Sequence, residues 1–204
     1  MKKVVLLLLS LIVSFSAMAQ ADADRQAVTN AGVYHQTFKG IPIDGTQDAF
    51  VRKLEAKGFK REKRVENCIY LSGRFAGYNN CQIFVDRNTY VNLVNSVGVT
   101  FPPAENWAQL EKIYTSLQQM LTKKYGNPSA DIKEFVPFTP ATDDSKFTAV
   151  QNNQCKYATT YDNGKKGSVT LSITTGEKNA CFITMRYVDT QNFKVGQEGA
   201  IDDL

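Results

Sequence analysis

The sequence predicts an α+β protein built as two tandem units, each a helix followed by three antiparallel strands, with the helices on one face of the sheet. Three observations carry that expectation. Two stretches space their apolar residues at three and four, as a helix with one buried face requires. Between and after them, runs of alternating apolar and polar residues are separated by short Gly/Asn/Asp clusters, the pattern of hairpin-linked strands. The order helix, three strands then occurs twice along 204 residues.

The elements follow in chain order. Residues 1–19 have the parts of a secretory leader: Lys2 and Lys3, an apolar run at 4–13, and Ala17-Met18-Ala19 before a mature start at Gln20. The run is shorter than the roughly 20 residues that cross a bilayer, and nothing later approaches that length. No cysteine stands at the cleavage point, which argues against a lipid anchor. Residues 20–36 are polar and aperiodic and read as a flexible lead-in. The first unit is expected at 37–101. It starts with a short extended segment at 37–43, confined to an edge by Pro42. Asp44-Gly45 is turn chemistry, Thr46 is an N-cap, Ala49, Phe50 and Leu54 share a helical face, and Gly58 stops the helix with Phe59 folding back. A glycine before a helix raises the question of a phosphate loop. Such a loop needs several glycines with a lysine and a hydroxyl, and here Asp48 would repel an anion. Gly45 is a turn residue.

Strands are expected over 66–76, with Ile69, Leu71 and Phe75 opposite Tyr70, Ser72 and Arg74; over 81–85; and over 91–101, where Asn95 interrupts the apolar face. The second unit, 102–189, opens after Pro102-Pro103 with a helix carrying Trp107, Leu110, Ile113, Tyr114, Leu117 and Leu121, capped by Asn106 with Gln109 and closed by Gly126 and Pro128. At 1.5 Å per residue it is long enough to cross a sheet. Residues 129–153 read as a long, weakly patterned connection. Strands at 155–161, 168–175 and 180–189 follow, the first pair joined through Asn163-Gly164. Residues 190–204 read as a frayed tail.

Loss of the leader removes two lysines and lowers the formal charge from +4 to +2, too little to imply nucleic acid. The chain is expected to be periplasmic or secreted. There Cys68, Cys81, Cys155 and Cys181, even in number and without C-x-x-C spacing, are candidates for two disulfides. Order along the chain favours Cys68–Cys81 and Cys155–Cys181. A simple meander, however, puts the second pair on strands flanking a third, near 10 Å apart, where a disulfide needs under about 7 Å. Either Cys155 precedes its strand or pairing crosses between units.

Several stretches together, "FKGIPIDGT", "LSGRFAGYNNCQIFV", "VGVTFP", "LTKKYGNPS" and "CFITMRYVD", resemble an uncharacterised family of exported proteins from Bacteroidetes. The resemblance implies a periplasmic or secreted α+β protein and carries no activity. The helix-then-antiparallel-strands repeat is also similar, at the level of fold, to β-lactamase-inhibitor proteins.

The remaining candidates are weak as catalysts. His35, the only histidine, falls in the flexible lead-in, whereas a catalytic base must be held rigidly against its nucleophile, so it reads as an exposed bystander. The run Lys57, Lys60, Arg61, Lys63, Arg64 suits a solvated edge strand, and Asp143-Asp144 lacks the spaced oxygens of a calcium loop. No cofactor and no metal are expected. Tyr70 and Arg74, with Tyr157 and Tyr161 as counterparts in the second unit, form the expected binding surface, since Tyr and Arg are enriched at hot spots. The functional expectation is an exported, non-enzymatic protein that binds a protein, peptide or glycan through its sheet face. The alternatives are a hydrolase with an unrecognised carboxylate site and an envelope structural protein without a discrete ligand. Oligomeric state is left open.

Overall fold

The computed structural model describes residues 34–201. The leader, the start at Gln20 and the lead-in up to 33 lie outside the described residues. A two-stranded hairpin, β1 (Thr37–Phe38) and β2 (Ile41–Pro42), comes first. The first helix, α1 (Gln47–Glu55), buries Phe50, Val51 and Leu54. Thr46 takes the extended N-cap conformation without a side-chain cap bond. Gln47 fastens this end instead, its Nε2 donating to the carbonyls of Asn67 and Val85 at 2.7 Å each. At the other end Gly58 is left-handed, its N–H bonds Glu55, and the N–H of Phe59 reaches back to Leu54 as Phe59 folds into the core.

Strands β3 (Lys60–Val65), β4 (Cys68–Phe75), β5 (Tyr78–Arg87) and β6 (Val94–Thr100) form one meander. After α2 (Trp107–Tyr125), a second runs through β7 (Ala130–Phe135), α3 (Asp143–Gln151), β8 (Cys155–Asp162), β9 (Gly167–Thr175) and β10 (Cys181–Asp189), and α4 (Thr190–Ile201) ends the described chain. All pairings are antiparallel, and the eight strands lie in the order β3-β4-β5-β6-β10-β9-β8-β7. The meanders meet at the β6–β10 seam.

The α+β class with a large antiparallel sheet is therefore present, but three strands per meander is corrected to four. The added strands, β3 and β7, lie at the two edges. The connection at 129–153 contains β7 and α3, and the frayed tail is replaced over 190–201 by α4. That helix buries Asn192 and Gly196, and Asp189 caps it by accepting the N–H of Asn192 at 2.9 Å. The interruption at Asn95 is a bulge, since Asp86 pairs with Ser96 and Arg87 with Val94, leaving Asn95 without a partner across the ladder.

One sheet face carries the core. Ile69 and Leu71 (β4), Ile83 and Val85 (β5), Val97 and Val99 (β6), Met185 and Tyr187 (β10), Val169 and Leu171 (β9) and Tyr161 (β8) are buried on it. Against them lie Phe50 and Leu54 of α1 and Trp107, Leu110, Tyr114, Leu117 and Leu121 of α2. Helix α4 packs against β6, β9 and β10 and against the β8–β9 turn.

Candidate binding face

Alternation sends every second side chain of the sheet away from that core. The registers join those residues into rows that cross all eight strands. The central row reads Lys63, Tyr70, Phe84, Gly98, Arg186, Thr170, Thr160, Ala130. A parallel row reads Lys60, Ser72, Gln82, Thr100, Thr184, Ser172, Ala158, Ile132. Lys63 and Arg186 are exposed; Tyr70, Phe84, Thr170 and Thr160 are half-buried by their neighbours in the sheet.

Local chemistry holds the row in place. The ammonium of Lys63 sits 5.1 Å from the centre of the Tyr70 ring, a cation–π distance. Phe84 lies across Gly98, where a Cβ would come within 1.8 Å of its ring. Any larger residue at 98 would lift the ring off the sheet. Arg186 crosses the seam, donating to Ser96 Oγ at 3.1 Å and lying 3.6 Å from Asp86, which itself accepts from Ser96 at 3.0 Å. Thr160 and Thr170 share a 3.1 Å hydrogen bond, as do Thr174 and Thr184. The first meander thus contributes Lys63 and the aromatic pair to the face, and the second contributes Arg186 and a run of hydroxyls.

Of the expected surface residues, the structure brings only Tyr70 to this row. Arg74 is exposed but falls in the irregular step between Gly73 and Phe75. Tyr157 and Tyr161 are on the opposite, helix-covered face. Tyr157 packs edge-on against Trp107 and Tyr114, and Tyr161, wholly buried, bonds the Gln118 carbonyl at 3.0 Å and Thr122 Oγ1 at 2.8 Å. They belong to the contact with α2. Burial pushes the neighbouring Tyr114 phenol up, and its hydroxyl bonds Thr159 at 2.6 Å. Phe84, Arg186 and the threonines were missed. Their signal was the even-numbered register opposite Ile83, Met185 and Leu171.

The structure separates Cys68 from Cys81. Cys68 stands opposite Asp86 and Cys81 opposite Gly73, five rungs along the same strand pair, about 16 Å at the usual rise. That distance excludes a Cys68–Cys81 disulfide. Cys181 pairs with Thr175 on β9, and Cys155 begins β8 on the other side of that strand. All four thiols are free in the structure. Burial, reinforced by Asp86, pushes the Cys68 thiol up to about 12, and burial does the same for Cys155.

His35 is not a bystander. Its Nδ1 lies 3.1 Å from the buried carboxylate of Asp189 and its Nε2 3.7 Å from Asp44. The adjacent Gln36, also buried, gives its N–H to Asp189 at 2.8 Å and accepts from Asn163 at 2.7 Å. The end of the lead-in is therefore tied to the start of α4. In the basic run, Arg61 and Arg64 both donate to Asp48 of α1 at 2.8 Å, and those bonds hold the Asp48 carboxyl below its usual range. Asp143 and Asp144 are first-turn acids of α3, behind a Thr142–Ser145 capping box, and Asp143 pairs with Lys146 at 3.3 Å. Among the described residues, no group of three or more His, Cys, Asp or Glu side chains is placed to hold a metal, and no helix is long and apolar enough to cross a membrane. Comparison with models of protein families, with curated proteins and with solved structures found no match for this chain.

Proposed function

We propose that this chain is an exported, non-enzymatic binding protein that takes its partner on the face of the eight-stranded sheet opposite α1 and α2. One observation supports the reading above others. The exposed Lys63 and Arg186 bracket the Tyr70–Phe84 pair in a single cross-strand row, on the face away from the core. Aromatic and arginine side chains concentrate binding energy, and none of the four is needed by the helix-covered core. The leader at 1–19 supports export.

The test compares material captured from envelope and culture-medium fractions by the native mature chain, by Tyr70→Ala/Arg186→Ala, and by Glu111→Ala/Lys112→Ala on α2. The face variant is expected to lose its partners while keeping the native circular dichroism spectrum, and the helix variant to keep them. Full capture by the folded face variant, with loss in the helix variant, would move the binding surface to the other side of the molecule.

A further inference from the structure

The composition of the central row narrows the partner of that face, on the reading that the face binds at all. Its charged members are cations only, Lys63 and Arg186, with no carboxylate in the row itself. They are separated by four strand steps, about 19 Å. Between them Tyr70 and Phe84 are adjacent, and Phe84 is laid flat on Gly98. Beyond Arg186 the row continues as Thr170 and Thr160, whose hydroxyls both donate and accept.

A peptide has little to hold here. Every strand beneath the aromatic pair and Arg186 is already paired on both sides, so no free backbone edge exists for an added strand. A polymer of sugar rings, each with an apolar C–H face and bearing hydroxyls and carboxylates, matches each part. Ring C–H faces meet the electron-rich faces of the aromatics, carboxylates meet Lys63 and Arg186, and hydroxyls meet the threonines. We propose that the row Lys63–Tyr70–Phe84–Arg186–Thr170–Thr160 is the binding track of an acidic polysaccharide, running across the strands. The nearest carboxylates flank the row rather than lie in it, Asp86 beside Arg186 and Glu62 accepting from Ser72 at 2.6 Å. Asp86 orients Arg186 from one side and leaves the guanidinium exposed.

The probe is polygalacturonate, titrated into the mature chain at low and at physiological salt. Its methyl-esterified form, neutral dextran and polyglutamate serve as comparisons. The expected result is binding to polygalacturonate that weakens as salt rises, with the ester and dextran at least about tenfold weaker. Lys63→Ala/Arg186→Gln should lose about tenfold in affinity together with most of the salt dependence, and Tyr70→Ala about tenfold with the salt dependence kept. The glutamine at 186 can still hydrogen-bond while removing the charge, and thermal melting confirms that each variant is folded. Equal binding of ester and acid, an undiminished double variant, or no binding to polygalacturonate would each overturn the proposal. Binding of polyglutamate as strong as that of polygalacturonate would overturn it in favour of an acidic peptide. If the Tyr70→Ala/Arg186→Ala chain still loses partners captured from envelope fractions while polygalacturonate fails to bind, only the polysaccharide falls. If capture is unaffected, the binding face falls with it.

Discussion

Replacing Asn192 with alanine probes the least expected part of the fold. Asn192 is 4% exposed, and its amide donates to the carbonyls of Ile43 at 3.2 Å and Val94 at 2.9 Å and to the carboxylate of Asp44 at 3.0 Å. It thereby joins α4, β6 and the β2–α1 turn. The two N–H groups of the amide are shared among these three acceptors; losing them costs about 1 kcal/mol net each, and the buried carbonyls left stranded add about 1 kcal/mol more, about 3 kcal/mol together. Alanine is the better helix former and returns about 0.5 kcal/mol. The net loss of about 2.5 kcal/mol, with a urea m-value of about 2 kcal/mol/M for a domain of this size, lowers the denaturation midpoint by about 1.2 M. Gln191→Ala, one residue away on the exposed side, should leave it nearly unchanged. Urea titration followed by far-ultraviolet circular dichroism measures both. If Asn192→Ala matches Gln191→Ala, or if removal of residues 190–204 leaves the midpoint in place, α4 does not pack as described and the reasoning fails.

Three further outcomes are expected. Leu117→Ala, at a wholly buried position of α2, should cost about 2–5 kcal/mol; a midpoint unchanged in urea would remove α2 from the core. Alkylation of unfolded, unreduced protein should label at least Cys68 and Cys81, while the folded protein reacts slowly at pH 8 because burial pushes Cys68 up to about 12; peptide mass mapping that finds Cys68 linked to Cys81 would refute the register of β4 and β5. The folded value of Asp48 lies below its unfolded one, so its pairing with Arg61 and Arg64 stabilises above about pH 4 and is lost as pH falls through the folded value. The partners are exposed, so Asp48→Asn should cost only about 0.5–1 kcal/mol at pH 7 and nothing in strong acid; an equal deficit at both pH values would show that charge is not the cause.

Elements that bury apolar side chains at a regular period were legible in the sequence. Helix α2 announces itself through Trp107, Leu110, Tyr114, Leu117 and Leu121, and β4–β6 through their alternation. The missed elements bury almost nothing apolar. All six residues of β3 are exposed, and β7 buries only Phe135. Helix α3 buries Ala149 and Val150, and α4 buries an asparagine and a glycine. Their order comes from tertiary partners, which no local period encodes. The misplaced tyrosines have the same origin. The core side of β8 is Tyr157-x-Thr159-x-Tyr161, as polar in appearance as its other side, because Tyr114, Gln118 and Thr122 of α2 supply hydroxyl and carbonyl partners. Where both sides of a strand look alike, a one-residue choice decides which side is buried, and the sequence of β8 alone does not make it.

The seam between the meanders also has a temporal consequence. β6 pairs on its far side with β10, the last strand of the sheet, so during synthesis most of the chain must appear before that edge can be closed. Until then Val94–Thr100 offers a row of open donors and acceptors in a segment with no charge, the kind of edge that recruits strands from other molecules. Such distant pairing is slow to form. A chain ending before Cys181 would keep this edge permanently open and would lack Arg186, so C-terminal truncation threatens solubility and the outer row of the sheet together.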